Sequence, residues 1–301
     1  MEITRRDFLK LAGASAAAVG LSMSDLSRLE QALANPAAPT VLWLQGAACT
    51  GCSVSFLNRV SSSAPKTAAD VLIGTVNLRY HPNLMAAAGE SAVNVVRSAY
   101  DTGGYILVVE GGVPTAFSGA ACWAWTYNGV DVTFKDAVTS LAARAGKILC
   151  VGTCASWGGI PAAPPNPTGI VGVKTATGKS TINIAGCPAH PDDVVWVISQ
   201  LLLGRTISLD GSGRPKSLFP EDIHEHCPYE DSEEAERLGL EGRCLEELGC
   251  RGKETKGRCQ ARLFNGGVNW CMGAGAPCIG CNSPSFPGTQ ALYKTTGESD
   301  D

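Results

Sequence analysis

The segment from residue 224 to residue 281 constrains the fold of this chain more than any other. It carries seven cysteines together with His224, and ten glycines and two prolines lie among them. Because such a segment has little apolar material to bury, something other than a hydrophobic core must hold it together. Disulfides, zinc and iron–sulfur clusters are the structures that stabilise cysteine-rich segments of this kind. The candidate ligands are His224, Cys227, Cys244, Cys250, Cys259, Cys271, Cys278 and Cys281.

Composition narrows the possible classes of protein. A chain of 301 residues with 45% hydrophobic residues can form one large or two smaller domains with a sizeable core. Its formal net charge of −4 argues against nucleic acid as a partner, because binding phosphates requires a concentrated basic surface. The cysteine count of 13 is odd, so a framework of disulfides alone would leave one thiol unpaired.

The N-terminus has the pattern of an export signal. Paired arginines, Arg5 and Arg6, precede a mildly apolar run from Leu11 to Leu21, and Ala32-Leu33-Ala34 is a small-x-small cleavage site. Such a pattern resembles a twin-arginine signal, which exports proteins that have already folded and acquired a cofactor. We therefore predict a signal peptide over residues 1–34 and a periplasmic mature protein. A helix that stays attached is the alternative.

The next part of the chain alternates apolar runs with helical patterns. This alternation predicts a parallel sheet covered by helices on both faces. The predicted strands are Thr40–Leu44, Val71–Leu78, Tyr105–Glu110, Lys147–Gly152 and Thr181–Ala185. The predicted helices are Ser53–Val60, Glu90–Tyr100, Asp136–Ala145 and Pro191–Leu203.

Four more cysteines follow three of these predicted strands. Cys49 and Cys52 come after the first strand, Cys154 after the fourth and Cys187 after the fifth. Ligands of open parallel sheets bind beyond the carboxyl ends of the strands, so these thiols should converge at one edge, with Glu110 nearby. On spacing alone, a zinc site and a Cys49–Cys52 disulfide remain alternatives to an iron–sulfur cluster.

The ordered motifs of the whole chain resemble the small subunit of nickel–iron hydrogenases. The first half carries Cys49-Thr50-Gly51-Cys52-Ser53, Glu110-Gly111-Gly112-Val113-Pro114, the run from Gly152 to Gly159, and Gly186-Cys187-Pro188. The second half carries His224-x-x-Cys227, Asn269-Trp270-Cys271 and Cys278-Ile279-Gly280-Cys281. The resemblance extends from about Val41 to Phe286. It implies a flavodoxin-like domain over residues 35–215 and an irregular cysteine-rich domain over residues 216–301.

The resemblance also implies three iron–sulfur clusters and their ligands. Cys49, Cys52, Cys154 and Cys187 would hold a proximal [4Fe-4S] cluster beside a catalytic large subunit. His224, Cys227, Cys244 and Cys250 would hold a distal [4Fe-4S] cluster, and Cys259, Cys278 and Cys281 a medial cluster between the two. Many family members have proline where this chain has Cys271, and their medial cluster is [3Fe-4S]. We expect Cys271 to supply a fourth thiolate and complete a [4Fe-4S] medial cluster, as in the nickel–iron–selenium branch.

The expected function is transfer of electrons between a hydrogen-converting site on a separate large subunit and an external redox partner. That partner would be a multihaem cytochrome c or a membrane cytochrome, and we expect the acidic run from Glu221 to Glu247 to attract it. An exported iron–sulfur carrier serving another oxidoreductase is the alternative. A binding module held by zinc or disulfides, with no redox role, is a third. We expect Cys122, Cys150, His190 and His226 to be structural.

Overall fold

The computed structural model describes residues 38–60, 67–74, 76–240 and 242–288. The predicted signal peptide, residues 1–34, lies outside the described residues. The strands are β1 (Thr40–Gln45), β2 (Asn77–Tyr80), β3 (Ile106–Glu110), β4 (Val113–Pro114), β5 (Trp123–Tyr127), β6 (Val130–Thr133), β7 (Lys147–Val151), β8 (Ile170–Val171) and β9 (Ile182–Ile184). The helices are α1 (Gly51–Leu57), α2 (Ala68–Gly74), α3 (Gly89–Thr102), α4 (Phe134–Arg144), α5 (Thr153–Trp157), α6 (Val173–Thr177), α7 (Pro191–Leu202) and α8 (Cys259–Arg262).

A parallel sheet forms the centre of the first half. Within the described residues its strand order is β2-β1-β3-β7-β9, and every neighbouring pair is parallel. Counted along the sheet strands, this is the order 2-1-3-4-5 of flavodoxin-like folds. The predicted flavodoxin-like class is therefore confirmed.

The sheet buries both of its faces, as its near-continuous apolar strands predict. On one face, Trp43 and Val108 pack in the same core cluster as Phe56 of α1 and Val194 of α7. On the other face, successive residues point the opposite way, so the neighbouring Leu42, Leu44, Leu107 and Val109 join a second cluster with α3 and α4. Cys150 belongs to this second cluster and is completely buried, in agreement with a packing role.

The second predicted strand, Val71–Leu78, is wrong in its first half. Residues 68–74 form helix α2, and the strand that pairs with β1 is Asn77–Tyr80. The helix begins with a reciprocal cap: the Thr67 hydroxyl oxygen accepts from the Asp70 N–H at 3.2 Å, and the Asp70 carboxylate accepts from the Thr67 N–H at 3.0 Å. This capping pattern starts a helix that the apolar run alone does not reveal.

A hairpin, β5–β6, was not predicted. Its two strands pair from Trp123 with Thr133 to Tyr127 with Val130, and Asn128 and Gly129 form the two-residue turn with φ values of 49° and 74°. Asn-Gly is the preferred sequence for this type of turn because both residues tolerate positive φ. The signal was therefore present in the sequence.

The second half is mostly irregular. Its apolar cluster is small, built on Ile223, Leu245, Leu248, Trp270 and Met272. Several candidate ligands, including Cys227, Cys250 and Cys259, pack against this cluster and fill space that larger apolar side chains would occupy in an ordinary core. Among the described residues, no helix combines the length and the apolar character that crossing a lipid bilayer requires.

Candidate metal centres

The first group of cysteines lies at the carboxyl edge of the sheet, as predicted. Cys49 lies between β1 and α1, Cys52 is in the first turn of α1, and Cys154 is in α5 directly after β7. Cys187 follows β9. Burial, with smaller contributions from the neighbouring Cys187 and Cys49, raises the pKa of the Cys154 thiol to about 11. The four thiols therefore face one another across the end of the sheet.

Glycines make room for these sulfurs. A Cβ on Gly152, whose φ is 89°, would lie 2.5 Å from the Cys52 sulfur, and one on Gly159 would lie 2.9 Å from the Cys154 sulfur. Side chains at these positions would therefore fill the space around the thiols. Backbone N–H groups also point at the sulfurs: Gly51 donates to Cys49 Sγ at 3.4 Å and Ala189 to Cys52 Sγ at 3.5 Å. Such donors stabilise thiolates that carry negative charge.

A buried carboxylate lies behind this group. Glu110, at the end of β3, is 2% exposed. Its Oε1 accepts from the backbone N–H groups of Cys52 at 3.1 Å and Ser53 at 3.2 Å. Its Oε2 accepts from the Ser53 hydroxyl at 2.5 Å, the Trp43 indole at 3.1 Å and the Gln45 amide at 3.1 Å. The position of Glu110 was predicted, whereas the surrounding network was not.

His81 is part of the same network. Burial lowers the pKa of His81 to about 4, although Glu110 works in the opposite direction, so the ring is neutral at pH 7. Its Nδ1 accepts from the Asn83 N–H at 3.2 Å, which places the ring proton on Nε2. Nε2 then donates to the Ser53 hydroxyl oxygen at 3.2 Å. No sequence motif singles out His81.

A second group lies in the irregular half. His224, Cys227, Cys244 and Cys250 line one small cavity, and Met272 contributes to its wall. His224 begins a single 3-10 turn, and the Cys227 N–H donates to the His224 carbonyl at 2.9 Å, which holds these two ligands together. Burial raises the pKa of Cys227, and the neighbouring Cys250 and Cys244 add to the effect. All four predicted distal ligands are therefore brought together.

A third group lies between the first two. Burial, with smaller contributions from Cys278 and Cys271, raises the pKa of Cys259 to about 12. Burial also raises the pKa of Cys281 well above its ordinary value, with further contributions from Cys259, Cys278 and Cys271. Cys271 therefore lies near the other three thiols.

Hydrogen bonds connect the three groups in a line. The Thr153 hydroxyl, next to Cys154 of the first group, donates to the Cys281 carbonyl, in the third, and accepts from the Gly186 N–H at 2.9 Å. The backbone N–H of Cys278, in the third group, donates to the sulfur of Cys250, in the second, at 3.4 Å.

The spacing of the sulfurs tests which metal group fits. A tetrahedral zinc ion with Zn–S bonds of about 2.3 Å requires its sulfurs to lie about 3.8 Å apart. Among the described residues, three side chains that can bind a metal have their ligand atoms within 4.8 Å of one another only at the exposed Glu221, Glu225 and His226. No three of the described cysteines come this close. None of the 13 cysteines, all in the described part of the chain, forms a disulfide. No three of these cysteine sulfurs are therefore close enough together for a single zinc ion.

Comparisons with known proteins match both halves of the chain. The family described as NADH ubiquinone oxidoreductase, 20 Kd subunit, matches residues 49–201. The family that describes the C-terminal part of the NiFe/NiFeSe hydrogenase small subunit matches residues 219–294. The family described as TAT (twin-arginine translocation) pathway signal sequence matches residues 2–22.

Individual relatives cover nearly all of the chain. The periplasmic [NiFe] hydrogenase small subunit of Solidesulfovibrio fructosivorans is 38% identical over 305 residues, which span 98% of this chain and 94% of that protein. The periplasmic [NiFeSe] hydrogenase small subunit of Desulfomicrobium baculatum is 37% identical over 315 residues, which span 95% of this chain and 97% of that protein. The solved structure of oxidised [NiFeSe] hydrogenase from Desulfovibrio vulgaris Hildenborough superposes with a TM-score of 0.80 at 37% identity, covering 87% of this chain and 99% of that chain.

Proposed function

This chain belongs to the family of nickel–iron and nickel–iron–selenium hydrogenase small subunits, and we propose that it transfers electrons through three iron–sulfur clusters. It is the electron-transferring subunit of a periplasmic hydrogenase, exported by the twin-arginine route, and the catalytic metal site lies on a separate large subunit. Bound clusters would supply one-electron redox chemistry; the residues of this chain hold them, space them and adjust their charge.

The observation that carries the proposal is the spacing of the three ligand groups. Each group offers four side chains of iron–sulfur ligand type, and they are too far apart for a single ion. We assign Cys49, Cys52, Cys154 and Cys187 to a proximal [4Fe-4S] cluster. His224, Cys227, Cys244 and Cys250 are assigned to a distal [4Fe-4S] cluster, and Cys259, Cys271, Cys278 and Cys281 to a medial one.

The assignment is tested by removing one ligand from each group. We expect Cys187→Ser, Cys278→Ser and Cys244→Ser each to change the signal of a different cluster in electron paramagnetic resonance (EPR) spectra recorded during redox titration of the heterodimer. Cys150→Ser serves as the matched control, because Cys150 is buried in the sheet core and is not one of the assigned ligands. Two of the three ligand variants altering the same signal would contradict the assignment.

Cys271 decides the type of the medial cluster. Cys271 is a fourth cysteine in the segment that carries Cys259, Cys278 and Cys281, and its thiolate would complete the ligand set of a [4Fe-4S] cluster. We expect the oxidised wild-type protein to lack a three-iron EPR signal and Cys271→Pro, which restores the residue of many relatives, to produce one. A three-iron signal in the fully oxidised wild type would refute the role of Cys271 and leave the other ligands in place.

The distal end is the proposed exit for electrons. Exposed acidic side chains surround the second group, including Glu225, Glu230, Asp231 and Glu236. Such a surface would attract a basic redox partner, and we propose a multihaem cytochrome c or a membrane cytochrome. Electron transfer to the partner should slow with rising ionic strength because salt screens this attraction. The double variant Asp231→Asn, Glu236→Gln should weaken the salt dependence, whereas the control Asp101→Asn, Asp131→Asn, on the first half, should not.

A further inference from the structure

We propose that Glu110 is a positioning residue that lowers the reduction potential of the cluster bound through Cys52. The inference rests on the proposed function, since it requires a cluster at the first group of cysteines. It concerns the carboxylate at the end of β3 and the network around it. Those side chains contribute no ligand, so holding the metal does not explain them.

The hydrogen bonds around Glu110 all end on its two oxygens. Five donors point at its two oxygens: three at Oε2, from Ser53, Trp43 and Gln45, and two at Oε1, from backbone N–H groups. A carboxylate only accepts hydrogen bonds, whereas a protonated acid must donate one. Because each donor already directs its hydrogen at the carboxyl group, the arrangement suits the charged form.

The charge is close to the metal ligands and is not cancelled by a cation. Oε1 accepts directly from the N–H of Cys52, so the carboxylate lies within one residue of a ligand sulfur. Among the residues that the structure describes, no ion pair involves Glu110. Since the side chain is 2% exposed, water screens its field little.

The network also fixes where the charge lies. The Asn83 N–H donates to His81 Nδ1, His81 Nε2 donates to the Ser53 oxygen, and the Ser53 hydroxyl donates to Glu110 Oε2. Every member of this chain is turned toward the carboxylate. The Gln45 amide, which donates to both Ser53 and Glu110, is held by Asn83 in turn. These hydrogen bonds therefore hold the negative charge in one position, whether the neighbouring cluster is oxidised or reduced.

A fixed negative charge makes adding an electron to the neighbouring site less favourable. The reduction potential of a cluster depends on the charge and hydrogen bonds around it. Glu110 thus lowers the potential at the first group relative to a neutral side chain. An electron that arrives there from the large subunit is then passed more readily to the third group, to which Thr153, next to Cys154, connects by its bond to the Cys281 carbonyl.

The test measures this potential directly. EPR-monitored redox titration of the heterodimer gives the midpoint potential of the proximal cluster, whose signal is the one that Cys187→Ser alters. Glu110→Gln keeps the shape of the side chain and removes its charge, and we expect it to raise the midpoint potential. Glu110→Asp keeps the charge and changes the shape, and we expect a shift less than half as large. The control Glu236→Gln removes an exposed charge and should leave this potential unchanged.

Ser53→Ala is a second variant, for which we expect the opposite shift in potential, and it serves if Glu110→Gln fails to acquire iron. Ser53→Ala removes one donor from the carboxylate, leaves more of its negative charge unbalanced and should lower the potential. An unchanged or raised potential in Ser53→Ala would overturn the inference, as would a Glu110→Asp shift as large as that of Glu110→Gln. Absence of any proximal signal from the wild type would instead overturn the proposed function.

Discussion

At the scale of single residues, the first group of cysteines depends on glycines as much as on thiols. Gly152 combines a φ of 89° with a position where any side chain would meet the Cys52 sulfur. Only glycine adopts that conformation without strain and leaves the space free. The residue before α5 therefore determines whether a bulky inorganic core can fit beside Cys52 at the carboxyl edge of the sheet.

We predict that Gly152→Ala lowers the iron content of the chain by about four atoms, because the added methyl group would lie 2.5 Å from the Cys52 sulfur. Gly103→Ala is the matched control. Its φ of 72° and ψ of −178° place it in the same glycine-only region as Gly152, but the nearest atoms, those of Arg144, lie 3.7 Å from the added atom. Iron analysis of both purified variants provides the comparison. Equal iron in the two variants would show that the space beside Cys52 is not needed.

At the scale of helices and strands, His190 connects the two halves. It caps α7, since its Nδ1 accepts from the Asp192 N–H at 3.2 Å, and its Nε2 bonds the Leu263 carbonyl at 2.8 Å. Its ring also packs edge-on against Phe264 at 4.8 Å. Burial lowers the pKa of His190, partly offset by the Leu263 bond, with Arg262 and Arg59 lowering it and Asp192 raising it. The neutral ring makes both contacts, whereas a protonated Nδ1 could not accept at the helix end.

This arrangement predicts lower stability in acid. A histidine whose folded pKa lies below about 6.5 binds its proton more readily when unfolded, so stability is lost as the pH falls below that value. His81, with a pKa of about 4, acts in the same direction. Each histidine should contribute at most about 1.4 kcal/mol per pH unit. Denaturation midpoints at pH 7.5, 6.5 and 5.5 should fall less steeply in His190→Asn, which retains a capping oxygen. An identical slope in the variant would contradict this role.

The elements show which parts of the fold the sequence could predict. β1, β3 and β7 were predictable because they are apolar runs that end at a glycine. These strands were enough to place Cys49, Cys52 and Cys154 at the carboxyl edge of the sheet. Val71 was misassigned because a buried helix and a buried strand look alike in a short apolar run. The partners of Glu110 could not be predicted, since β1, which carries Trp43 and Gln45, and the segment after β2, which carries His81, meet the end of β3 only after folding.

At the scale of the whole molecule, the three ligand groups define two ends with different surfaces. Near the first group, Trp123 is 54% exposed and lines a groove with Ala48 and Thr50, the neighbours of Cys49. Ile160, which follows the helix that carries Cys154, is 49% exposed. Near the second group the surface is acidic. The apolar end suits permanent association with the large subunit, and the acidic end suits brief encounters with a redox partner.

We therefore predict that Trp123→Glu prevents co-purification with the large subunit, because it places a charge in an interface that must be desolvated. Val268→Glu is the control: Val268 is 74% exposed and lies in the second half, away from the first group. Size-exclusion chromatography of both variants, co-expressed with the large subunit, gives the comparison. Retention of the heterodimer by Trp123→Glu would place the interface elsewhere.

The central claim is that eleven cysteine sulfurs and one imidazole hold three clusters in a line. Its most direct measurement is the amount of iron and acid-labile sulfide per molecule of this chain, purified without oxygen. The account predicts roughly twelve atoms of each, four for every cubane cluster. A folded, colourless chain with little iron or sulfide would contradict it.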